Sequence, residues 1–78
     1  MERNDMEIVR SVDRAARLLE ALFIAPEGKR LAELSQEVSL HKTTVLRLLR
    51  TLVSLGLVQR DPRTDQYRFE PLRWIAIG

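Results

Sequence analysis

The run Lys42-Thr43-Thr44-Val45-Leu46-Arg47-Leu48-Leu49-Arg50-Thr51-Leu52-Val53-Ser54-Leu55-Gly56 constrains this chain more than any other feature. Val45, Leu48, Leu49, Leu52 and Leu55 recur at helical spacing and make one continuous apolar stripe, so a helix with a single buried side is expected over Lys42–Leu55. Gly56 ends it, because glycine after the last turn takes the left-handed conformation without a Cβ penalty. A chain of 78 residues has room for one small core. With no cysteine, neither a disulfide nor a thiolate metal site supplements that core, which must stand on apolar packing alone.

Upstream, an amphipathic helix is expected from Ser11 to Ala25, with Ser11 as N-cap and Val12, Ala15, Ala16, Leu19, Leu22 and Phe23 on its core side. Pro26 stops it and Gly28 helps the chain to turn. Lys29-Arg30-Leu31 is too brief to assign. A short helix follows over Ala32–Val38, with Leu34 and Val38 inward, and Ser39-Leu40 breaks it. Downstream, Leu57–Arg60 and Gln66–Phe69 read as the strands of a hairpin, joined by the turn formers Asp61-Pro62-Arg63-Thr64-Asp65, with Tyr67 and Phe69 facing the core. Pro71 favours the first turn of a further helix, Pro71 to Ile77.

Helix, short helix, tight turn, long helix and hairpin is the layout of a winged helix-turn-helix: mainly α with a small β-hairpin, a three-helix core plus a wing. Leu34, Val38, Leu40, Val45 and Leu48 supply the shared core of two steeply crossing helices, and Ser35 is small where they must approach. Residues 1–10 are expected to form an N-terminal tail, 11–70 the domain and 71–78 the start of a truncated linker helix. A purely structural three-helix bundle with a hairpin has the same order of elements, so the exposed face of the long helix has to decide between them.

The net charge of +2 is small but unevenly placed. Residues 1–39 carry six basic and eight acidic side chains, whereas residues 40–70 carry six basic and three acidic. With Val45 pointing inward, Thr43, Arg47, Arg50 and Ser54 point away from the core, flanked by Thr44, Leu46 and Thr51. That face has no acidic residue, although a merely solvated face would interleave glutamate with its cations. It suits duplex DNA. Arginine bonds guanine O6 and N7 bidentately, threonine bonds a base edge or packs on the thymine methyl, and helix-start amides hold phosphate. Lys42, a compact charge on a flexible stem, fits a phosphate contact better than a base contact.

Arg63 at the hairpin tip fits the minor groove or a phosphate, with Asp61 and Asp65 as the offsetting charges if it is only solvated. His41 and Arg60 are further candidate phosphate contacts. The single histidine, with no cysteine, gives no convincing metal site. No cofactor is expected, and no acid–base pair, nucleophile arrangement or glycine-rich phosphate loop suggests an enzyme. No run is long enough to cross a membrane and Met1–Arg10 lacks the apolar centre of a signal peptide, so a cytoplasmic location is expected. A second stripe on the first helix, Leu18, Ala21 and Ala25 with Ile24 beside it, together with Leu72, Trp74, Ile75 and Ile77, suggests a homodimer interface. The competing function is a winged helix that docks protein through the same face.

At this point the chain resembles the N-terminal domain of the IclR family of transcription regulators. The resemblance lies in Val9–Leu22, in Leu40–Leu52, and in the wing stretches Leu55-Gly56-Leu57-Val58, Asp61-Pro62-Arg63-Thr64 and Tyr67-Arg68-Phe69. It implies DNA-facing roles for Thr43, Thr44, Arg47 and Arg50. It also implies dimers or tetramers on inverted-repeat operators, and a small-molecule effector bound by a C-terminal domain absent from this sequence. Ser39 stands where such turns commonly have glycine, His41 where proline or serine is frequent, Asp65 where the wing often has glycine, and Ala32 where a hydroxyl residue is often found.

Overall fold

The computed structural model describes residues 8–70. The expected linker helix over 71–78, with Leu72, Trp74 and Ile75, lies outside these residues, as does most of the tail. In chain order the elements are α1 (Arg10–Phe23), β1 (Lys29–Arg30), α2 (Leu31–Val38), α3 (Lys42–Ser54), β2 (Val58–Asp61) and β3 (Gln66–Phe69). The strands form one antiparallel sheet in the order β1-β3-β2, with Lys29 opposite Tyr67 and Arg60 opposite Tyr67 on its other side. This is the winged helix-turn-helix expected from the sequence.

The core joins all three helices to the sheet: Leu18 and Leu22 from α1, Leu34 from α2, Val45, Leu49 and Leu52 from α3, Val58 from β2 and Tyr67 from β3. Each fully buried leucine contributes roughly 1.5–3 kcal/mol of transfer free energy, which a domain without disulfides needs from several positions at once. Two turns set the angles between elements. Gly56 is left-handed (φ 79°), and behind it the Leu57 amide reaches back to the Leu52 carbonyl at 3.0 Å. Between α2 and α3, Ser39 adopts φ 57°, ψ 47° although it is not glycine. The Leu40 amide bonds the Ser35 carbonyl at 3.1 Å and the Ser35 hydroxyl donates back to the Leu40 carbonyl, which holds that strained turn closed.

The structure corrects the reading of α1. Leu18 and Ala25, expected on a dimer face, are 0% and 3% exposed and belong to the interior, and Ala21 is partly buried against the core. Val12 and Phe23, expected inside, are 66% and 68% exposed. α1 carries two apolar stripes about a third of a turn apart at ~100° per residue, and periodicity alone does not say which faces inward. The approach of α2, α3 and β3 buries Leu18 of the second stripe together with Leu22 of the first, the expected core residue nearest to it, while Phe23 lies edge-on to Phe69 with ring centroids 5.6 Å apart. Ser11 is not the N-cap either. Val9 holds that position and provides no side-chain bond.

Lys29-Arg30 forms a short strand against β3, and Gly28 makes this possible. A Cβ there would lie 2.8 Å from Arg68 Cγ and 3.1 Å from the Tyr67 carbonyl oxygen, and its φ of 93° is one that side chains disfavour. Lys29 pairs with Glu37 of α2, and the bond raises the lysine's pKa. Among the described residues no helix is long and apolar enough to cross a membrane.

Candidate nucleic-acid interface

α3 starts abruptly. His41 is its N-cap in extended conformation with no side-chain bond, and the first amide engaged near this end is that of Val45, on the His41 carbonyl at 3.0 Å. The amides of the first turn are therefore open to an acceptor, and the positive end of the helix dipole lies there. Lys42, Thr43 and His41 are exposed around this end, and Thr44 is half-buried beside it.

Farther along, Arg47, Arg50, Thr51 and Ser54 are exposed, as the helical geometry predicts. Thr51 and Ser54 turn their hydroxyls onto the helix itself, donating to the Arg47 carbonyl at 3.2 Å and the Thr51 carbonyl at 2.7 Å. Arg47 and Arg50 make no ion pair with any described residue. Leu46 is half-buried and lines, with Arg50, Val53, Arg60 and Asp65, a groove between α3 and the wing. The recognition face thus presents two guanidinium groups without a carboxylate partner among the described residues, an open helix start and a hydroxyl, Thr43, at its leading edge.

The wing is organised differently. Arg60, a candidate phosphate contact by sequence, is held across the hairpin by Asp65, with Nε and Nη2 at 2.9 and 2.7 Å from Oδ1, so its charge is already matched. Asp65 is left-handed (φ 61°), a conformation aspartate tolerates. Asp61 shapes the tip: its carboxylate accepts the Arg63 amide at 2.9 Å, and this bond holds its pKa below the usual aspartate value. Arg63 itself projects with its side chain 90% exposed and its Nε 3.9 Å from Asp61, outside hydrogen-bond range. Arg30, preceding α2, donates its Nε to the Thr64 carbonyl at 3.2 Å and so ties the wing tip to the start of that helix.

Sequence reasoning missed two residues. Arg10 and Arg14, from the first turns of α1, line a cleft with Ser11, Thr44 and Arg47 beside the recognition face. The available signal was a pair of arginines at i and i+4 near a helix start, where acidic residues are preferred.

The sequence model of the IclR helix-turn-helix domain matches residues 11–62, from the body of α1 to the first residues of the wing turn. The chain belongs to the IclR family. It is 41% identical to the DNA-binding transcriptional repressor YiaJ of Escherichia coli (strain K12), over 87% of this chain and 24% of that protein. Among solved structures, the IclR transcriptional regulator from Alicyclobacillus acidocaldarius superposes with a TM-score of 0.82 at 34% identity, covering 90% of this chain and 28% of that one. The IclR family transcriptional regulator from Brucella abortus gives 0.78 at 26% identity, covering 96% and 28%. The chain thus spans about a quarter of the length of these IclR relatives.

Proposed function

We propose that this IclR domain binds double-stranded DNA sequence-specifically, as the DNA-binding part of a bacterial transcription regulator. The observation that carries the reading is the acid-free face of α3, on which Arg47 and Arg50 stand exposed with no carboxylate partner among the described residues. α3 lies in the major groove. Arg47 and Arg50 address base edges, Thr43 and Thr44 bases or phosphate, and Leu46 an apolar base edge such as the thymine methyl. Lys42 and His41 meet phosphates at the helix start, and Arg63 reaches the backbone or minor groove alongside. A module that docks protein mainly through apolar contacts would show an apolar face here, whereas this one is cationic and hydroxylic.

The protein acts in the cytoplasm as a homodimer on an inverted-repeat operator, each recognition helix taking one half-site. Burial takes Leu18 and Ala25 out of the pairing, which leaves Leu72, Trp74 and Ile75 of the C-terminal segment and the apolar side chains α1 keeps outside, among them Val12 and Ala16, to form it. Effector binding belongs to the part of the relatives' length that this chain does not span, and no cofactor or catalytic role is assigned to its residues.

Selection of bound sequences from random duplex DNA, followed by affinity measurement over a range of salt, tests the proposal. Enrichment of a two-fold-related sequence with affinity falling steeply in salt is expected. A population without enrichment, bound with salt-independent affinity, would contradict it.

A further inference from the structure

We propose that Arg10 and Arg14 form a phosphate clamp that grips the DNA backbone beside the groove read by α3, with the base-facing Arg47 at its edge, an inference that rests on the DNA-binding reading above. Two adjoining clefts carry it. One lies between the start of α1 and the middle of α3 and is lined by Arg10, Ser11, Arg14, Thr44 and Arg47 among others. The second runs from Arg14 and Thr44 to Ser39 and His41 in the turn between α2 and α3. Arg14 and Thr44 are common to both, so the clefts form one track from the start of α1 to the start of α3.

Among the described residues no acidic side chain lines this track. The nearest acid along α1, Asp13, is engaged by Arg17 at 3.0 Å. Arg14 is half-buried, and neither it nor Arg10 has an ion-pair or hydrogen-bond partner among the described residues. Within the protein alone this placement is unfavourable twice over. Like charges at i and i+4 repel on a helix, and cations at a helix start oppose its dipole. Arg47 adds a third positive charge from the facing helix. A phosphate oxygen in the cleft removes all three repulsions and accepts from guanidinium groups in their preferred geometry. DNA is favoured over an acidic peptide because the track is continuous with the recognition face: Arg47 and Thr44 belong to both.

Arg10 and Arg14 make no base contact, so their loss should act on every sequence alike. The test is titration of a short random-sequence duplex at several salt concentrations, with the parent chain, Arg10→Gln, Arg14→Gln, the double variant and Arg14→Lys, each also melted thermally. Each single glutamine variant is expected to bind several-fold more weakly at low salt and to flatten the slope of log affinity against log salt by roughly one unit, the double variant by roughly two. Arg14→Lys should keep the parent slope, and Arg10→Gln should melt no lower than the parent because it loses only repulsion. Folded glutamine variants with the parent's affinity and slope, beside a parent whose binding does fall with salt, would overturn the clamp and leave the DNA-binding reading standing. Absence of salt-dependent binding by the parent itself would overturn both. Flattening seen only in variants that no longer melt cooperatively would overturn the clamp in favour of a structural role for these arginines.

Discussion

The face of α3 and the wing are both rich in arginine, and they use it in opposite ways. On α3, Arg47 and Arg50 stand exposed with no partner among the described residues. In the wing, Arg60 is locked to Asp65, the Arg63 amide is held by Asp61, and Arg30 reaches across to the Thr64 carbonyl. A guanidinium with an internal partner shapes the protein, whereas one without a partner keeps its charge for a ligand. Arg63 is the wing's exception, pinned at its backbone and left outward at its side chain. Substitutions that remove or release single charges put this contrast under test.

The largest effect on binding should come from α3. Arg47→Ala and Arg50→Ala are each expected to weaken operator binding by about 1–3 kcal/mol, concentrated at one base pair, with the thermal melt unchanged because no internal bond is lost. Binding to a panel of single-base operator variants checks this; equal loss at every position would move the residue from base to phosphate. Next comes the wing tip. Arg63→Glu should reduce affinity more than Arg63→Ala, since it adds repulsion to a lost contact, and parent-like binding by both would leave Arg63 as a solvated side chain only.

A smaller effect, opposite in sign, is expected of Asp65→Gly. Glycine keeps the left-handed backbone that Asp65 adopts at φ 61° but releases the Arg60 guanidinium. Affinity for random-sequence duplex should rise and the salt slope steepen, with Arg60 then behaving like Arg47. An unchanged slope would mean that its ion pair does not withhold it from DNA.

The smallest effect concerns pH. The Arg63 amide bond holds the Asp61 pKa below its ordinary value, so Asp61 contributes stability that is fully present above the unfolded aspartate pKa of about 4 and lost as pH falls through the lowered folded value. Protection of the Arg63 and Asp65 amides, measured against their intrinsic exchange rates, should therefore fall as the solution is acidified below that range. The outer face of α3 has no carboxylate to titrate, and its amides should hold longer. Loss of protection in both regions together would indicate that the wing has no local acid response of its own.

What was legible in the sequence follows from where the information is local. α3 could be read as far as Leu52 because its stripe, its glycine stop and its acid-free face are all local to it, whereas Leu55, expected on the stripe, is the C-cap and 45% exposed. The hairpin was legible from its turn formers. The inward side of α1 was not, because the choice between its two stripes is made by elements elsewhere in the chain. β1 has two residues and no periodicity to show, and it exists through pairing with Tyr67 and Gln66. The withdrawal of Arg60 depends on a hairpin register that sets it near Asp65, and the cleft around Arg14 joins helices far apart in sequence. Ser39 shows the remaining limit: its left-handed turn is held by Ser35, a bond that residue type alone does not announce.

The most direct test of the central claim is an NMR titration that follows arginine side-chain Nε–Hε signals as duplex DNA carrying the selected operator is added. The account predicts large, saturable shifts for Arg47 and Arg50, smaller ones for Arg63, and near-stationary signals for Arg60 and Arg17, whose charges are matched by Asp65 and Asp13. Movement of Arg60 and Arg17 with Arg47 and Arg50 unmoved would contradict it.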